Sequence, residues 1–357
     1  MSSTGWDLEY KENRETYQQI FDEVMSTPKH ETDISFLEKS LSEKVHRKEA
    51  VVCASGTDAL LVSLKAMGVG PGDGVLVSSF SWLSSASVVS MVGATPVFCD
   101  IDLNTYHMCF ESMAQKIRSS PVKVKAIIYP QLFGNMTQFA DVEDFCWDNG
   151  IGQECIIEDA CQALGAWIGG TPAGCGGNAS AISFNANKNV AGIAGGGAVL
   201  TDSIKLAAYA RKWRQHGNGE LLGTNSKMLL LNAAIINHRL KNLDDMIERR
   251  QKLAKIYDKG LADLPVYLQT NGKGKKHTYH KYVVRFEDKK TRDLAKEAIG
   301  GTVHYTTPIN YLPMYENSYE EMPNARHLCD TILTLPLHHY SEEQDLERVL
   351  QKIWDAI

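Results

Sequence analysis

Residues 156–188 read IIEDACQALGAWIGGTPAGCGGNASAISFNANK, and they carry the clearest evidence for a fold class. The stretch contains two short apolar runs, of which the first ends at Asp159 and the second leads to Lys188. Comparable apolar or β-branched runs occur on both sides of it, at 75–80, 96–99, 124–129 and 198–201. Helix-like segments, such as Thr57–Met67, lie between several of these runs. This alternation predicts an α/β domain with a mostly parallel sheet.

The chain beyond residue 202 has a different pattern. The elements predicted there are two helices, a strand and a closing helix, at about 203–213, 233–261, 282–286 and from about 342. We therefore predict a large domain at residues 30–245, with a mostly parallel mixed sheet flanked by helices, and a smaller α+β C-terminal domain at residues 246–357. Residues 1–29 are helical and polar in pattern, and we expect them to pack nearby.

The composition is that of an ordinary globular chain. Of its 357 residues, 43% are hydrophobic and 22% are charged, which excludes a mainly disordered or collagen-like protein. The net charge is −6, and no dense block of Lys and Arg occurs, so the sequence predicts neither a nucleic-acid partner nor a membrane surface. No apolar run approaches the roughly 18 residues of a spanning helix, and the N-terminus does not resemble a signal peptide. We therefore expect a cytoplasmic protein.

The cysteines and histidines do not form a metal-binding pattern. None of the eight cysteines forms a C-x-x-C pair, and we expect reduced core residues. His277 and His280 are the one close histidine pair of note, but no third ligand lies nearby in the sequence. We predict that no metal is bound, and that Tyr279-His280-Lys281-Tyr282 has a structural role at the start of a strand.

The turn Ser55-Gly56-Thr57 is the first candidate binding feature. It follows the apolar residues 51–53 and opens a predicted helix. Free N–H groups at a helix N-terminus, beside a glycine and a hydroxyl, suit a phosphate group. An ordinary capped turn between strand and helix has the same sequence pattern, so both interpretations stand at this point.

The pair Glu158-Asp159 is the second candidate. Both carboxylates end an apolar run, so they lie at the C-terminal edge of a buried strand, where open α/β sheets bind their ligands. Because strand side chains alternate, at most one of the two faces a given site. The alternative is a carboxylate that caps the next helix.

Lys188 is the third candidate. It lies in a small, polar turn after a predicted strand, next to a glycine-rich stretch at 192–197. A lysine in such a position can form a Schiff base with a carbonyl compound, whereas a solvated loop lysine is the alternative. The glycines do not have the G-x-G-x-x-G spacing, and a strand rather than a helix follows them, which excludes the dinucleotide-binding motif.

Taken in order, these features resemble one protein family. A phosphate-type turn, a strand end with an aromatic residue, a strand-end aspartate and a lysine 29 residues later are typical of the DegT/DnrJ/EryC1/StrS family of sugar aminotransferases. Similar segments run from about residue 33 to the C-terminus: SGTDALLVSLKAMGVGPGD (55–73), SSFSWLSSASVVSMVGATPVFCDID (78–102), IEDACQALGA (157–166), SFNANKN (183–189), GGGAVLTD (195–202), WRQHGN (213–218), GTNSKM (223–228) and LPLHHYSEEQ (335–344). The resemblance implies the pyridoxal-phosphate-dependent transferase fold type I.

The resemblance also assigns roles around the ring of pyridoxal 5′-phosphate (PLP). Lys188 matches the catalytic lysine that holds the cofactor, and Asp159 matches the carboxylate that meets its pyridine nitrogen. Trp82 matches the aromatic residue that stacks on the ring, and Gln162 matches the residue beside the phenolic oxygen.

Further roles concern the phosphate and the substrate. Gly56, Thr57 and Ser183 match phosphate-binding positions. Asn225 matches a residue that relatives donate to the phosphate of the neighbouring subunit, which implies a homodimer with shared active sites. His304 resembles a residue on a loop that reaches the active site, where it would contact sugar or donor; a packing histidine at a strand end is the alternative.

The implied activity is transfer of an amino group from an amino acid, L-glutamate, to a keto-sugar, specifically a nucleotide-linked 4-keto-6-deoxy hexose, in the synthesis of amino sugars or polysaccharides. Relatives that act as sugar 3-dehydratases have histidine in place of the lysine, so Lys188 favours transamination. Residues 193–197 and 227–230 depart from the family pattern, which leaves the substrate open. The rival hypotheses are an aminotransferase for a cyclitol ketone and a non-catalytic homologue that binds the cofactor.

Overall fold

The computed structural model describes residues 5–26, 34–270, 274–318 and 320–357. The strands of the described chain are β1 (Glu49–Cys53), β2 (Asp73–Ser78), β3 (Thr95–Cys99), β4 (Lys123–Pro130), β5 (Ile156–Asp159), β6 (Trp167–Ile168), β7 (Thr171–Pro172), β8 (Ala179–Ser183), β9 (Gly197–Thr201), β10 (Val266–Leu268), β11 (Lys275–Lys276), β12 (Tyr282–Phe286) and β13 (Ile332–Leu335). Its helices are α1 (Trp6–Glu12), α2 (Arg14–Ser26), α3 (Ser35–Lys44), α4 (Gly56–Ala66), α5 (Ser84–Met91), α6 (Phe110–Ser119), α7 (Phe139–Asp148), α8 (Ile204–Trp213), α9 (Leu230–Lys241), α10 (Leu243–Gly260), α11 (Lys289–Ile299), α12 (Pro323–Thr331) and α13 (Glu343–Ala356).

The main sheet of the described chain has seven strands in the order β1-β9-β8-β5-β4-β2-β3. Neighbours from β8 to β3 pair in parallel, whereas β9 runs antiparallel to both β8 and β1. The strands are buried and apolar because helices cover the sheet on both faces. The predicted α/β fold with a mostly parallel mixed sheet is therefore confirmed. Since β1, β8 and β5 share a direction, their carboxyl ends meet at one edge.

A second sheet lies in the C-terminal part, in the antiparallel order β10-β12-β13. Helices α10, α11 and α13 pack around it, and a separate apolar cluster extends from Leu253 to Ile353. The predicted boundary between residues 245 and 246 falls inside α10. The boundary between residues 29 and 30 lies outside the described residues.

The prediction of a single helix at about 233–261 is wrong, because the structure has two helices there. The structure divides it into α9 and α10 at Asn242, whose backbone (φ −96°, ψ 4°) is not helical. Asparagine tolerates such a conformation because its short side chain competes for local hydrogen bonds. The break lets α9 pack against the main sheet's core while α10 continues to the second sheet.

The N-terminal helices are attached to α9 by a buried ion pair. Arg239 and Glu9 meet at 2.8 Å with almost no solvent exposure, and the Tyr17 hydroxyl donates to Glu9 at 2.5 Å. The Arg239 guanidinium also lies 4.1 Å from the centre of the Trp6 ring. The Trp6 indole N–H in turn donates to the Ala186 carbonyl at 3.2 Å. Helix α1 therefore contacts the loop that carries Lys188.

No helix in the described part of the chain is both long enough and apolar enough to cross a bilayer. All eight cysteines are free, and five of them are buried.

Replacing Glu9 by alanine should lower the free energy of unfolding by about 3–5 kcal/mol, because it leaves the Arg239 charge buried and unpaired. Urea unfolding measures the loss. The exposed pair Lys39–Glu43 provides the control: Glu43→Ala should change stability by less than about 1 kcal/mol. Equal stability of the two variants would contradict the importance of the buried pair.

Candidate active site

A cavity of about 360 Å³ opens at the carboxyl edge of the main sheet. Of the nine residues that the sequence singles out, eight line it: Gly56, Thr57, Trp82, Asp159, Gln162, Ser183, Lys188 and His304. Asn225 does not line the cavity, and its side chain is exposed. The structure therefore brings together side chains from β5, from the start of α4, from the loop after β8 and from the C-terminal part.

The start of α4 forms one wall. The Ser55 hydroxyl caps the helix by accepting from the Asp58 N–H at 3.0 Å. The first N–H groups of the helix, those of Gly56 and Thr57, have no partner within the helix and suit an anion. A Cβ at Gly56 would lie 2.9 Å from both Cys161 Sγ and Ser183 Cβ. Glycine is thus required where the helix start, β5 and β8 approach one another.

Asp159 is buried at the end of β5 with a fixed orientation. Its Oδ2 accepts from the Ser85 hydroxyl at 3.0 Å, and its Oδ1 accepts from the Cys161 N–H at 3.2 Å. Ser81 supports Ser85 through a 3.0 Å contact between their hydroxyls. Glu158 does not line the cavity; it accepts bonds from glycine N–H groups and a serine hydroxyl in the protein interior. One carboxylate faces the site and the other holds the fold together, as strand alternation predicts.

Lys188 lies on the loop between β8 and β9. A backbone bond from its N–H to the Asn185 carbonyl (2.9 Å) forms a tight turn. Burial lowers the pKa of Lys188, against the opposing effects of Cys161 and Asp159. A lowered pKa increases the neutral fraction of the amine, and the neutral amine is the form that attacks a carbonyl carbon or accepts a proton.

Aromatic residues form the wall next to Gln162. The Gln162 amide donates to the Tyr305 hydroxyl at 2.9 Å and accepts from the Phe133 N–H at 3.0 Å. The rings of Tyr305 and Phe133 stack with centroids 6.3 Å apart. Trp82 lies at the mouth of the cavity with 61% of its surface exposed, and its ring centre is 6.2 Å from that of Tyr305. A flat ring bound here has aromatic contacts available.

Two histidines complete the wall. His304 shares a 2.9 Å hydrogen bond between its Nδ1 and the Thr334 hydroxyl, and burial, together with Lys281 and Lys188, lowers its pKa to about 4. Burial likewise keeps the pKa of His280 far below its usual value. Both rings are neutral near pH 7, so they offer hydrogen bonds rather than charge.

The sequence patterns did not point to several lining residues, among them Phe133, His280, Lys281 and Tyr305. The structural role predicted for residues 279–282 stays a prediction; these residues do open β12, and His280 and Lys281 also line the cavity. The loop of His304 did point to this region, yet it is the next residue, Tyr305, that makes the contact with Gln162. In the described residues, no group of three or more His, Cys, Asp or Glu side chains forms a metal-ligand set.

The fold and the cavity together define a class of enzyme. A helix start suited to phosphate, a fixed buried carboxylate, an aromatic wall and a lysine of lowered pKa match the groups of PLP: its phosphate, its pyridine nitrogen, its ring and its aldehyde. These are the features of a PLP-dependent enzyme of fold type I, and the residues present fit that cofactor.

Comparisons with known proteins agree with this class of enzyme. The DegT/DnrJ/EryC1/StrS aminotransferase family matches residues 11–354, so the chain belongs to this family. It is 30% identical to the "Pleiotropic regulatory protein" of Geobacillus stearothermophilus over 97% of this chain and 95% of that protein. It is 31% identical to the UDP-N-acetyl-3-dehydro-alpha-D-glucosamine 3-aminotransferase of Acidithiobacillus ferrooxidans, covering 84% and 82% of the two chains. The crystal structure of S. venezuelae DesV in complex with a ketimine intermediate has a TM-score of 0.89 and 28% identity, covering 98% of this chain and 96% of that one.

The protein is therefore a PLP-dependent sugar aminotransferase, and the predictions of its family, fold type, enzyme class and cofactor are confirmed. The roles of the individual residues stay predictions, supported by their positions in the cavity.

Gly56→Ala tests the phosphate wall. The added methyl group collides with Cys161 and Ser183 and displaces the helix start, so the PLP dissociation constant should rise by about tenfold or more, equivalent to about 1.4 kcal/mol. Titration of the apoprotein with PLP, followed by absorbance, measures it. Gly70→Ala is the matched control, because the only neighbour of its new Cβ is a carbonyl 3.8 Å away. Unchanged affinity in a folded Gly56→Ala variant would contradict this role of the helix start.

Proposed function

We propose that the protein transfers the amino group of L-glutamate to a nucleotide-linked keto-hexose. The observation that carries the proposal is the presence, in one cavity, of Lys188, the fixed carboxylate of Asp159 and the anion-binding start of α4. The UDP-linked 3-dehydro sugar in the name of one relative supports a keto-sugar carried on a nucleotide. A 4-keto-6-deoxy hexose stays the specific prediction from the sequence, and a ketone at C3 is the second candidate that this relative favours.

The residues of the chain then have defined tasks. Gly56, Thr57 and Ser183 would hold the phosphate, while the Asp159 carboxylate would keep the pyridine nitrogen protonated. When bound, PLP supplies an electron-withdrawing ring that accepts the electron pair left by breaking the C–H bond of the amino donor. Lys188 would hold the cofactor through its side-chain amine, and as a free amine it would accept the α-proton of the donor and pass it on as a general base and acid.

In a second half-reaction, the amino group taken from L-glutamate would pass to the keto-sugar, with the same residues acting in reverse order. Lys188 would then donate a proton to the sugar carbon that becomes the amine-bearing carbon, after taking one from the cofactor side as a base. The cavity opens to solvent beside Trp82, which leaves room for a long nucleotide-linked substrate. His304 lines the cavity and is the proposed contact to the sugar or the donor.

The regulatory name of one relative raises the rival hypothesis of a ligand-binding protein without catalysis. Binding alone has no need for an amine of lowered pKa beside a buried, doubly hydrogen-bonded carboxylate. That arrangement favours catalysis in this chain.

Lys188→Ala tests the assignment directly. Wild-type protein loaded with PLP should be yellow, should lose that absorbance on addition of L-glutamate as the pyridoxamine form appears, and should be fixed to its cofactor by borohydride at Lys188. The variant should show neither reaction while keeping its oligomeric state and its unfolding transition. Lys205→Ala, an exposed surface change, is the control and should behave as wild type. Turnover near the wild-type rate in Lys188→Ala would refute the proposed role.

A panel of acceptors identifies the second substrate. Mass spectrometry should detect the gain of an amino group on a nucleotide-linked 4-keto or 3-keto hexose. Amination of a cyclitol ketone, with no product from any nucleotide-linked sugar, would establish the rival substrate class instead.

We further propose a homodimer in which Asn225 of one subunit reaches the phosphate site of the other. Ser226 anchors this segment near α4: its hydroxyl donates to Asp58 at 2.7 Å and accepts from the Ala54 N–H at 3.1 Å. Asn225 is exposed and does not line the cavity of its own subunit. Leu222 and Leu229, close to it in sequence, and Ile193, next to the cavity-lining Ala194, are large exposed apolar side chains. Such a surface is typical of an interface between subunits.

Mixed dimers test this arrangement. Lys188→Ala and Asn225→Asp proteins should each be inactive at limiting PLP, the second because a carboxylate repels the phosphate. Refolding the two together should restore about one quarter of wild-type activity, because half of the dimers are mixed and each mixed dimer holds one intact site. Mixing either variant with itself is the control. Absence of rescue in mixed dimers of demonstrated composition would contradict a site shared between subunits.

The cytoplasm is the proposed location. It is a reducing compartment in which the eight free cysteines stay reduced.

A further inference from the structure

Lys281 is a cationic residue that lines the cavity, and the proposed transamination steps do not use it. It immediately precedes β12, and its N–H donates to the Phe133 carbonyl at 3.2 Å. Since the Phe133 N–H donates to Gln162, the lysine enters the cavity on the side of Gln162 and Tyr305. The wall suited to phosphate, at the start of α4, is a separate group of residues.

The Lys281 ammonium has no carboxylate partner among the described residues. Asp258, which accepts from the hydroxyl of Tyr282, the residue after Lys281, at 2.7 Å, does not line this cavity. Burial, with Arg250 and Lys188 nearby, lowers the pKa of Lys281 to about 8, so the side chain is still mostly protonated at pH 7. A partly desolvated charge without a partner is costly, and an incoming anion recovers that cost.

The surroundings add no negative charge on this side. His280 and His304 are neutral near pH 7, and the Arg250 guanidinium donates to two carbonyls rather than to an acid. Asp159 is the one acidic residue among those that line the cavity in the described chain, and it is assigned to the pyridine nitrogen. The charge distribution therefore favours a ligand anion next to Lys188, in addition to the phosphate.

We propose that Lys281 binds a substrate carboxylate, namely the α-carboxylate of the amino donor. This inference rests on the proposed function. The carbon whose proton Lys188 moves carries that carboxylate directly, so a carboxylate within reach of Lys281 places the α-hydrogen close to Lys188. The lysine side chain is flexible and ends in a compact charge. It therefore suits a position that the amino donor and the keto-sugar occupy in turn. An acidic keto-sugar is the other ligand that could supply a carboxylate to Lys281.

Separate half-reactions distinguish the two sources. Lys281→Met removes the charge at similar length, Lys281→Arg retains it, and Lys276→Met is the matched control, because Lys276 pairs with Asp244 outside the cavity. Each PLP-loaded protein is mixed with increasing L-glutamate, and each pyridoxamine-loaded protein with a neutral and with an acidic nucleotide-linked keto-sugar. Absorbance of the cofactor gives the rate and the half-saturating concentration in each arm.

Lys281→Met should raise the half-saturating concentration of L-glutamate by about tenfold or more, equivalent to about 1.4 kcal/mol, and leave the neutral keto-sugar arm unchanged. Lys281→Arg should recover most of this loss, and Lys276→Met should match wild type. A shift confined to the acidic keto-sugar would assign the carboxylate to the sugar and overturn the donor assignment.

Two other results overturn the proposal altogether. Unchanged half-saturation in every arm shows that Lys281 binds no carboxylate. A shifted pH dependence of the cofactor absorbance, without any change in half-saturation, shows that Lys281 acts only through its charge on Lys188. Failure of the proposed function is distinct from both, because wild-type protein would then show no reaction with any amino acid.

Discussion

The close approach of three backbone segments at one edge of the main sheet is the constraint on which the site depends. A Cβ at Gly197, the first residue of β9, would lie 2.2 Å from the Ser55 carbonyl, and one at Gly56 would collide with β5 and β8 neighbours. This approach brings the start of α4 against Ser183 and fixes the two ends of the loop that carries Lys188. Glycine at both positions lets the backbone segments approach this closely. The start of α4, the Asp159 carboxylate and Lys188 therefore share one cavity.

Electrostatics gives that cavity its chemical character. One carboxylate is held by hydrogen bonds, two lysines have lowered pKa values, and two histidines are neutral. The protein thus provides little fixed negative charge where anionic groups of cofactor and substrates must bind. A net charge of −6 over the whole chain gives no hint of this local excess of cations.

The sequence predicted the α/β fold and eight of the lining residues because those signals are local: apolar runs, turn residues and motif order. It missed Tyr305 and Lys281 because their positions depend on how the second sheet packs against the first, more than 100 residues from Gln162 in the chain. The apolar periodicity of the sequence did not predict the break at Asn242, for a related reason. Both helices continue the same apolar pattern, and only packing against two separate cores divides them.

The hydrogen bond from Trp6 to Ala186 has a practical consequence. It joins Trp6 of helix α1 to a residue two positions before the reactive lysine, and the buried Glu9–Arg239 pair holds α1 in place. A substitution in helix α1 can therefore disturb the catalytic loop, although no residue of α1 lines the cavity. Helix α1 thus supports the active site as well as the fold, without contributing a residue to the cavity wall.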